Sequence, residues 1–209
     1  MNIRPKTVRR LLIVVAAAVV VVAAVLGVRS YKSGQRAARL QADRDAGIAA
    51  WRQGDYASAL EKLKTYVRKD TRDFDALLAY ASSRARLELP NGRHIPEAIQ
   101  SFEVLRSLRP VDRDVQRALL DLYTQAGLGT EAITLADAVL AAHPNDVDAL
   151  RAKTIALWRN GRYDEALQAS LKWNDAAPLQ LAGHTQTYLL LIKTKAPKDQ
   201  ILARYRDLL

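Results

Sequence analysis

The chain contains no cysteine. Disulfides, thiolate metal sites and a cysteine nucleophile are therefore excluded, and the absence is compatible with either side of a membrane. Histidine is almost as scarce. His94 falls in a turn, His143 precedes a proline and His184 lies on a terminal helix, with no second histidine at ligand spacing. A metal site needs three or four converging ligands, so none is expected. The sequence also lacks a glycine-rich phosphate loop, a Gly-x-Ser-x-Gly elbow and any carboxylate pair distinct from ordinary helix surface. No catalytic constellation survives and no cofactor is implied. The expectation is a protein that is not an enzyme.

Acidic residues are missing from the first 39 positions, which hold Arg4, Lys6, Arg9, Arg10, Arg29, Lys32, Arg36 and Arg39. Removing these eight from the 32 basic residues leaves 24 against 22 acids, so most of the net charge of +10 sits in this segment. A nucleic-acid-binding domain needs a basic face of its own, and no nucleic-acid partner is expected.

Inside that segment, residues 11–28 form an unbroken apolar run of 18, with three Leu, one Ile, eight Val, five Ala and one Gly. As a helix it would be about 27 Å long, just enough for a hydrocarbon core. Its nine β-branched residues suit a helix poorly in water, whereas in lipid a lone segment has no other way to satisfy its backbone. Arg9, Arg10, Arg29 and Lys32 bracket the run, and Tyr31 sits where an interfacial aromatic would. A cleaved signal peptide, giving a secreted or periplasmic protein, is the competing reading. The length of the run and Arg29 just beyond it favour an uncleaved anchor. Basic residues flank both ends almost equally, but a short tail without acids favours repeats on the outer side.

Beyond the run, Gly54-Asp55-Tyr56-Ala57-Ser58-Ala59-Leu60 returns as Gly127-Leu128-Gly129-Thr130-Glu131-Ala132-Ile133 and as Gly161-Arg162-Tyr163-Asp164-Glu165-Ala166-Leu167. The outer glycines are 107 apart, which is 3 × 34 + 5, and the inner pair is separated by 34. Pro110, Pro144 and Pro178 recur every 34 residues, each where an X-Pro step ends a helix. Asp112 and Asp146 stand where the next helix needs an N-cap. A 34-residue helix–turn–helix period is the signature of a stacked array.

The resulting division is a basic tail at 1–10, an anchor at 11–28, a basic linker at 29–39 with its break at Ser33-Gly34, and a repeat domain at 40–209. Its units are about 40–73, 74–112 with an insertion near 89–95, 113–146 and 147–180, followed by a terminal hairpin at 181–209. In the last helix Ile201, Leu202, Tyr205, Leu208 and Leu209 make one apolar stripe.

On these residues the chain resembles the tetratricopeptide repeat proteins of bacterial, membrane-anchored type. The family pattern is met by Gly47, Gly54, Tyr56 and Ala59, by Ala98, Phe102 and Pro110, by Tyr123, Gly127, Ala132 and Pro144, and by Gly161, Tyr163, Ala166 and Pro178. Gly129 replaces the turn tyrosine and Thr71 replaces a proline. The resemblance implies an all-α solenoid of antiparallel helix pairs in a right-handed superhelix, preceded by one transmembrane helix. It also implies that the first helix of each pair lines a concave groove.

That groove would carry Arg44, Arg117 and Arg151 ten residues before the turn glycines, Trp51 and Trp158 three before, and Arg52, Gln125 and Arg159 two before, with Arg86 from the second unit. Arginine and aromatic residues suit an extended acidic peptide. The competing reading is that the arginines are merely solvated and the indoles fill gaps between units. The Lys/Asn carboxylate clamp of chaperone-binding members does not carry over, because Ile48, Ser82, Asp121 and Ile155 occupy the inner positions.

The expected function is a single-pass scaffold of the bacterial inner membrane, with repeats on the periplasmic side, that binds a protein or peptide of acidic character. The alternative is an accessory subunit for assembly or stability of an envelope complex, its transmembrane helix also touching partners.

Overall fold

The computed structural model describes residues 5–206, with side-chain surroundings from residue 26 onward apart from positions 91 and 205. Among the described residues it consists of ten α-helices and one short 3-10 helix, without strands. The helices are α1 (Pro5–Arg52), α2 (Tyr56–Lys69), α3 (Phe74–Arg86), α4 (His94–Leu108), α5 (Arg113–Ala126), α6 (Gly129–Ala142), α7 (Val147–Arg159), α8 (Tyr163–Ala176), α9 (Leu181–Lys193) and α10 (Lys198–Arg206).

The turns explain the glycine spacing. Gly54, Gly127 and Gly161 have φ of 80°, 72° and 73°, a left-handed conformation that a side chain disfavours. The turn between α9 and α10 adopts the same conformation without glycine, at Lys195 with φ 55°. Helix starts are set by aspartates. Asp73, Asp112 and Asp146 cap α3, α5 and α7, accepting from the backbone N–H groups of Ala76, Val115 and Ala149 at 3.1, 3.1 and 2.8 Å.

Each helix packs against its neighbours in sequence, and α1 also approaches α3, as α5 does α7. The even-numbered helices do not approach one another in this way. Helices that crowd together on one side and spread on the other curve the stack, so the odd-numbered layer forms the inner wall. Small side chains sit at the crossings: Ala59, Ala98, Ala132 and Ala166 are fully buried. At Gly47 an added Cβ would lie 2.5 Å from Leu63 Cγ, so α1 and α2 are in contact there through glycine.

Three features differ from the sequence reading. The linker break at Ser33-Gly34 is absent, for α1 runs as one helix of 48 residues, about 72 Å. Glycine inside a helix costs only about 1 kcal/mol, and the Ser33 hydroxyl donates to the Ser30 carbonyl at 2.8 Å rather than opening the chain. Ile48, expected on the inner wall, is 7% exposed and belongs to the core. In α10, Ile201 is half-buried and Leu202 is 57% exposed, while the side chains of Tyr205, Leu208 and Leu209 lie outside the described residues.

The side chains of residues 11–25 of the apolar run also lie outside the described residues. Among the described residues no helix is long and apolar enough to cross a membrane.

The insertion in the second unit forms the 3-10 helix Pro90–Gly92, and His94 Nδ1 accepts from the Leu89 backbone N–H at 3.2 Å. Arg84 pairs with Glu97 across α3 and α4. The inner helices α3 and α5, which flank this insertion, do not pack together as α1 and α3 do.

Candidate functional site

The candidate groove residues separate into two rows with different electrostatics. The inner row is neutralised. Arg44 Nε donates to Asp73 Oδ2 at 2.5 Å, and its NH1 to Asp45 at 2.9 Å. Arg117 donates to Asp114 at 2.5 Å, which pushes the guanidinium further up. Arg151 donates to both Asp121 and Asp148, at 2.8 and 3.0 Å. The arginine column is therefore threaded with carboxylates, and its net field is small.

The second row lies at the C-terminal ends of the inner helices. Arg52, Arg86, Arg159 and Lys193 are the last residues of α1, α3, α7 and α9, and Gln125 occupies the corresponding place on α5. Successive members are 34, 39, 34 and 34 residues apart, the insertion supplying the additional five. All are exposed, and among the described residues none makes an ion pair. Arg86 lies over the Tyr56 ring at 5.8 Å, and Arg159 donates to the Thr124 carbonyl. The C-terminal end of a helix dipole favours such cations, yet most of their donors still face water.

The indoles serve the core. Trp51 is half-buried against the main cluster, and Trp158 against the smaller cluster of Leu157, Ala166, Ala169 and Leu190. Trp158 meets the Tyr163 ring edge-on, at 5.6 Å and 73°. Both aromatics thus fill space between helices, with only part of each ring available to a partner.

Where α3 and α5 stand apart, a pocket of about 300 Å³ opens. Ser82, Ala85 and Arg86 of α3 line one side, Ala118, Asp121, Leu122 and Gln125 of α5 the other, and Phe102 of α4 completes the lining. Small side chains leave the space, and Arg86 and Gln125 bring the edge row to its rim. The volume lies at the lower end for ligand pockets and suits one bulky side chain. Sequence reasoning placed Arg86 and Gln125 but missed the pocket; its only signal was three small residues opposite one another. Among the described residues no group of three or more His, Asp or Glu side chains could hold a metal.

The tetratricopeptide repeat family pattern matches residues 44–90, 83–147 and 118–180. Among solved structures the chain is similar to a MamA RS-1 double mutant, with TM-score 0.70 and 19% identity over 81% of this chain and 92% of that one. It is also similar to MamA AMB-1 (0.69, 20%, 81% and 90%). MamA from residue 41 onward of Desulfovibrio magneticus RS-1 is a further likeness (0.66, 20%, 81% and 90%). At such identities the likeness concerns the fold. No curated protein matches the chain. The matched repeats cover more than half of the sequence, and the chain belongs to the tetratricopeptide repeat family.

Proposed function

We propose that this protein is a non-enzymatic scaffold that holds an extended, acidic segment of a partner protein along the edge row Arg52, Arg86 and Arg159. One observation carries the reading: these arginines recur in phase along the inner wall without an acid partner among the described residues, whereas Arg44, Arg117 and Arg151 are neutralised within the array. Guanidinium groups with unused donors at regular intervals suit carboxylates on an extended chain. The pocket between α3 and α5 would take a bulky apolar side chain of the same segment. Residues 11–28 are the proposed single membrane span, which would tether the array to a bacterial inner membrane with the repeats on the periplasmic side.

Site-specific photo-crosslinking in cells tests the face. A crosslinker at Gln125 should give a discrete adduct, and one at Ala138 on α6 should not. Equal labelling from both positions would remove the groove from the account. Protease accessibility of the repeats in spheroplasts tests the compartment.

A further inference from the structure

The unbroken course of α1 has a consequence for the basic segment. Arg29, Lys32, Arg36 and Arg39 are separated by 3, 4 and 3 residues. On one continuous helix they fall within an arc of roughly 80°. A hinge at Ser33-Gly34 would have placed the two pairs independently, but no hinge exists. All four side chains are exposed, and none has an ion pair among the described residues. The first acid in the sequence is Asp43, so nothing along this stretch offsets the charge. Tyr31 and Gln35 border the stripe on one side, where the amide donates to the phenol oxygen at 2.9 Å.

We infer that this stripe is a binding site for anionic phospholipid headgroups, in the leaflet from which α1 emerges. The inference rests on residues 11–28 spanning the bilayer. The stripe begins immediately after that run on the same helix, so a lipid phosphate is the anion it meets first. Arg39 is 11 residues beyond Val28, about 16 Å along the axis. Screening limits unpaired charges to about 8–10 Å in physiological salt. With α1 near the bilayer normal, as a span of 18 residues requires, Arg29 and Lys32 lie within range, and the long side chains of Arg36 and Arg39 can reach down the same face towards the headgroup phosphates. Because α1 continues without interruption to Arg44, bonded to Asp73, the direction of the span also sets how the repeat array stands above the surface.

The test uses the full chain in vesicles of equimolar phosphatidylcholine and phosphatidylglycerol. After detergent extraction, the phospholipid retained on the purified protein is counted by mass spectrometry. Wild type should retain phosphatidylglycerol several-fold over phosphatidylcholine. The variant R29Q/K32Q/R36Q/R39Q should lose most of that excess, and R29K/R36K/R39K, which preserves charge, should keep it. Equal excess in wild type and the glutamine variant overturns the stripe, as does loss in the lysine variant. A chain that never enters the vesicles overturns the span and the stripe together, whereas insertion without lipid preference overturns the stripe alone.

Discussion

Arg44 and Asp73, 29 residues apart in sequence, form the junction between the long first helix and the second repeat. Asp73 accepts from Arg44 Nε at 2.5 Å, from the Tyr66 hydroxyl at 2.9 Å and from the Ala76 backbone N–H at 3.1 Å. Arg44 also lies over the Tyr66 ring at 6.0 Å. One carboxylate thus caps α3 and ties it to α1 and α2.

This junction predicts acid sensitivity. Burial opposes ionisation of Asp73, but the hydrogen bonds from Arg44, Ala76 and Tyr66 outweigh it and hold the carboxyl at about 2, below its ordinary 3.8. A lowered folded-state value means stability that is present above the ordinary value and lost as pH falls towards about 2. The contribution should be about 1–2 kcal/mol near neutrality once screening is included. Asp73→Asn should therefore flatten the decline in unfolding midpoint between pH 4 and pH 2, read by circular dichroism. A decline as steep as wild type would mean that other groups govern it.

Close helix crossings predict that added volume is harmful. Ala132→Leu and Ala166→Leu, at fully buried positions, should each lower stability by about 1–3 kcal/mol. Gly47→Ala should do the same, because its Cβ would press on Leu63 from 2.5 Å. Denaturant midpoints equal to wild type would contradict these placements.

Lys195 predicts a gain. It occupies, with φ 55°, the place that Gly161 holds one repeat earlier. The left-handed region costs a non-glycine residue about 1–2 kcal/mol, partly offset by the greater freedom glycine loses on folding. Lys195→Gly should therefore stabilise the terminal hairpin by about 0.5–1 kcal/mol. Slower amide exchange in α9 and α10 would show it, and faster exchange would count against the strained turn.

Gly34 offers a test of the continuous helix. It lies inside α1 with nothing within 4 Å of the place a Cβ would occupy, so alanine meets no clash. Gly34→Ala should raise local helix stability by about 0.5–1 kcal/mol and slow amide exchange around residues 30–40. A flexible linker would exchange at the same fast rate in both proteins.

The repeat period was legible because left-handed turns and helix ends demand particular residues, namely Gly54, Gly127 and Gly161 and the prolines every 34 positions. The helix through Ser33-Gly34 was not legible, since glycine only weakens a helix and local sequence cannot reveal what the flanking turns sustain. The groove was legible as positions but not as charges. Asp114–Arg117 and Asp148–Arg151 are neighbours three residues apart on one helix, but Arg44–Asp73 and Arg151–Asp121 join separate helices. Periodicity places such residues on a wall without saying which ones meet across it. The α3/α5 pocket escaped notice for the same reason, being a gap between helices rather than a pattern within one.

The division of the arginines into two rows is tested most directly by fluorescence anisotropy. The probe is a labelled twelve-residue peptide of alternating Glu and Leu, titrated at about 0.15 M salt, where weak surface attraction is screened. Reversing the edge row with R52E/R86E/R159E should weaken binding at least tenfold, whereas D114N/R117Q, which removes an already neutral pair from the inner row without changing its net charge, should weaken it far less. Equal loss in both variants, or no loss in the first, would contradict the account.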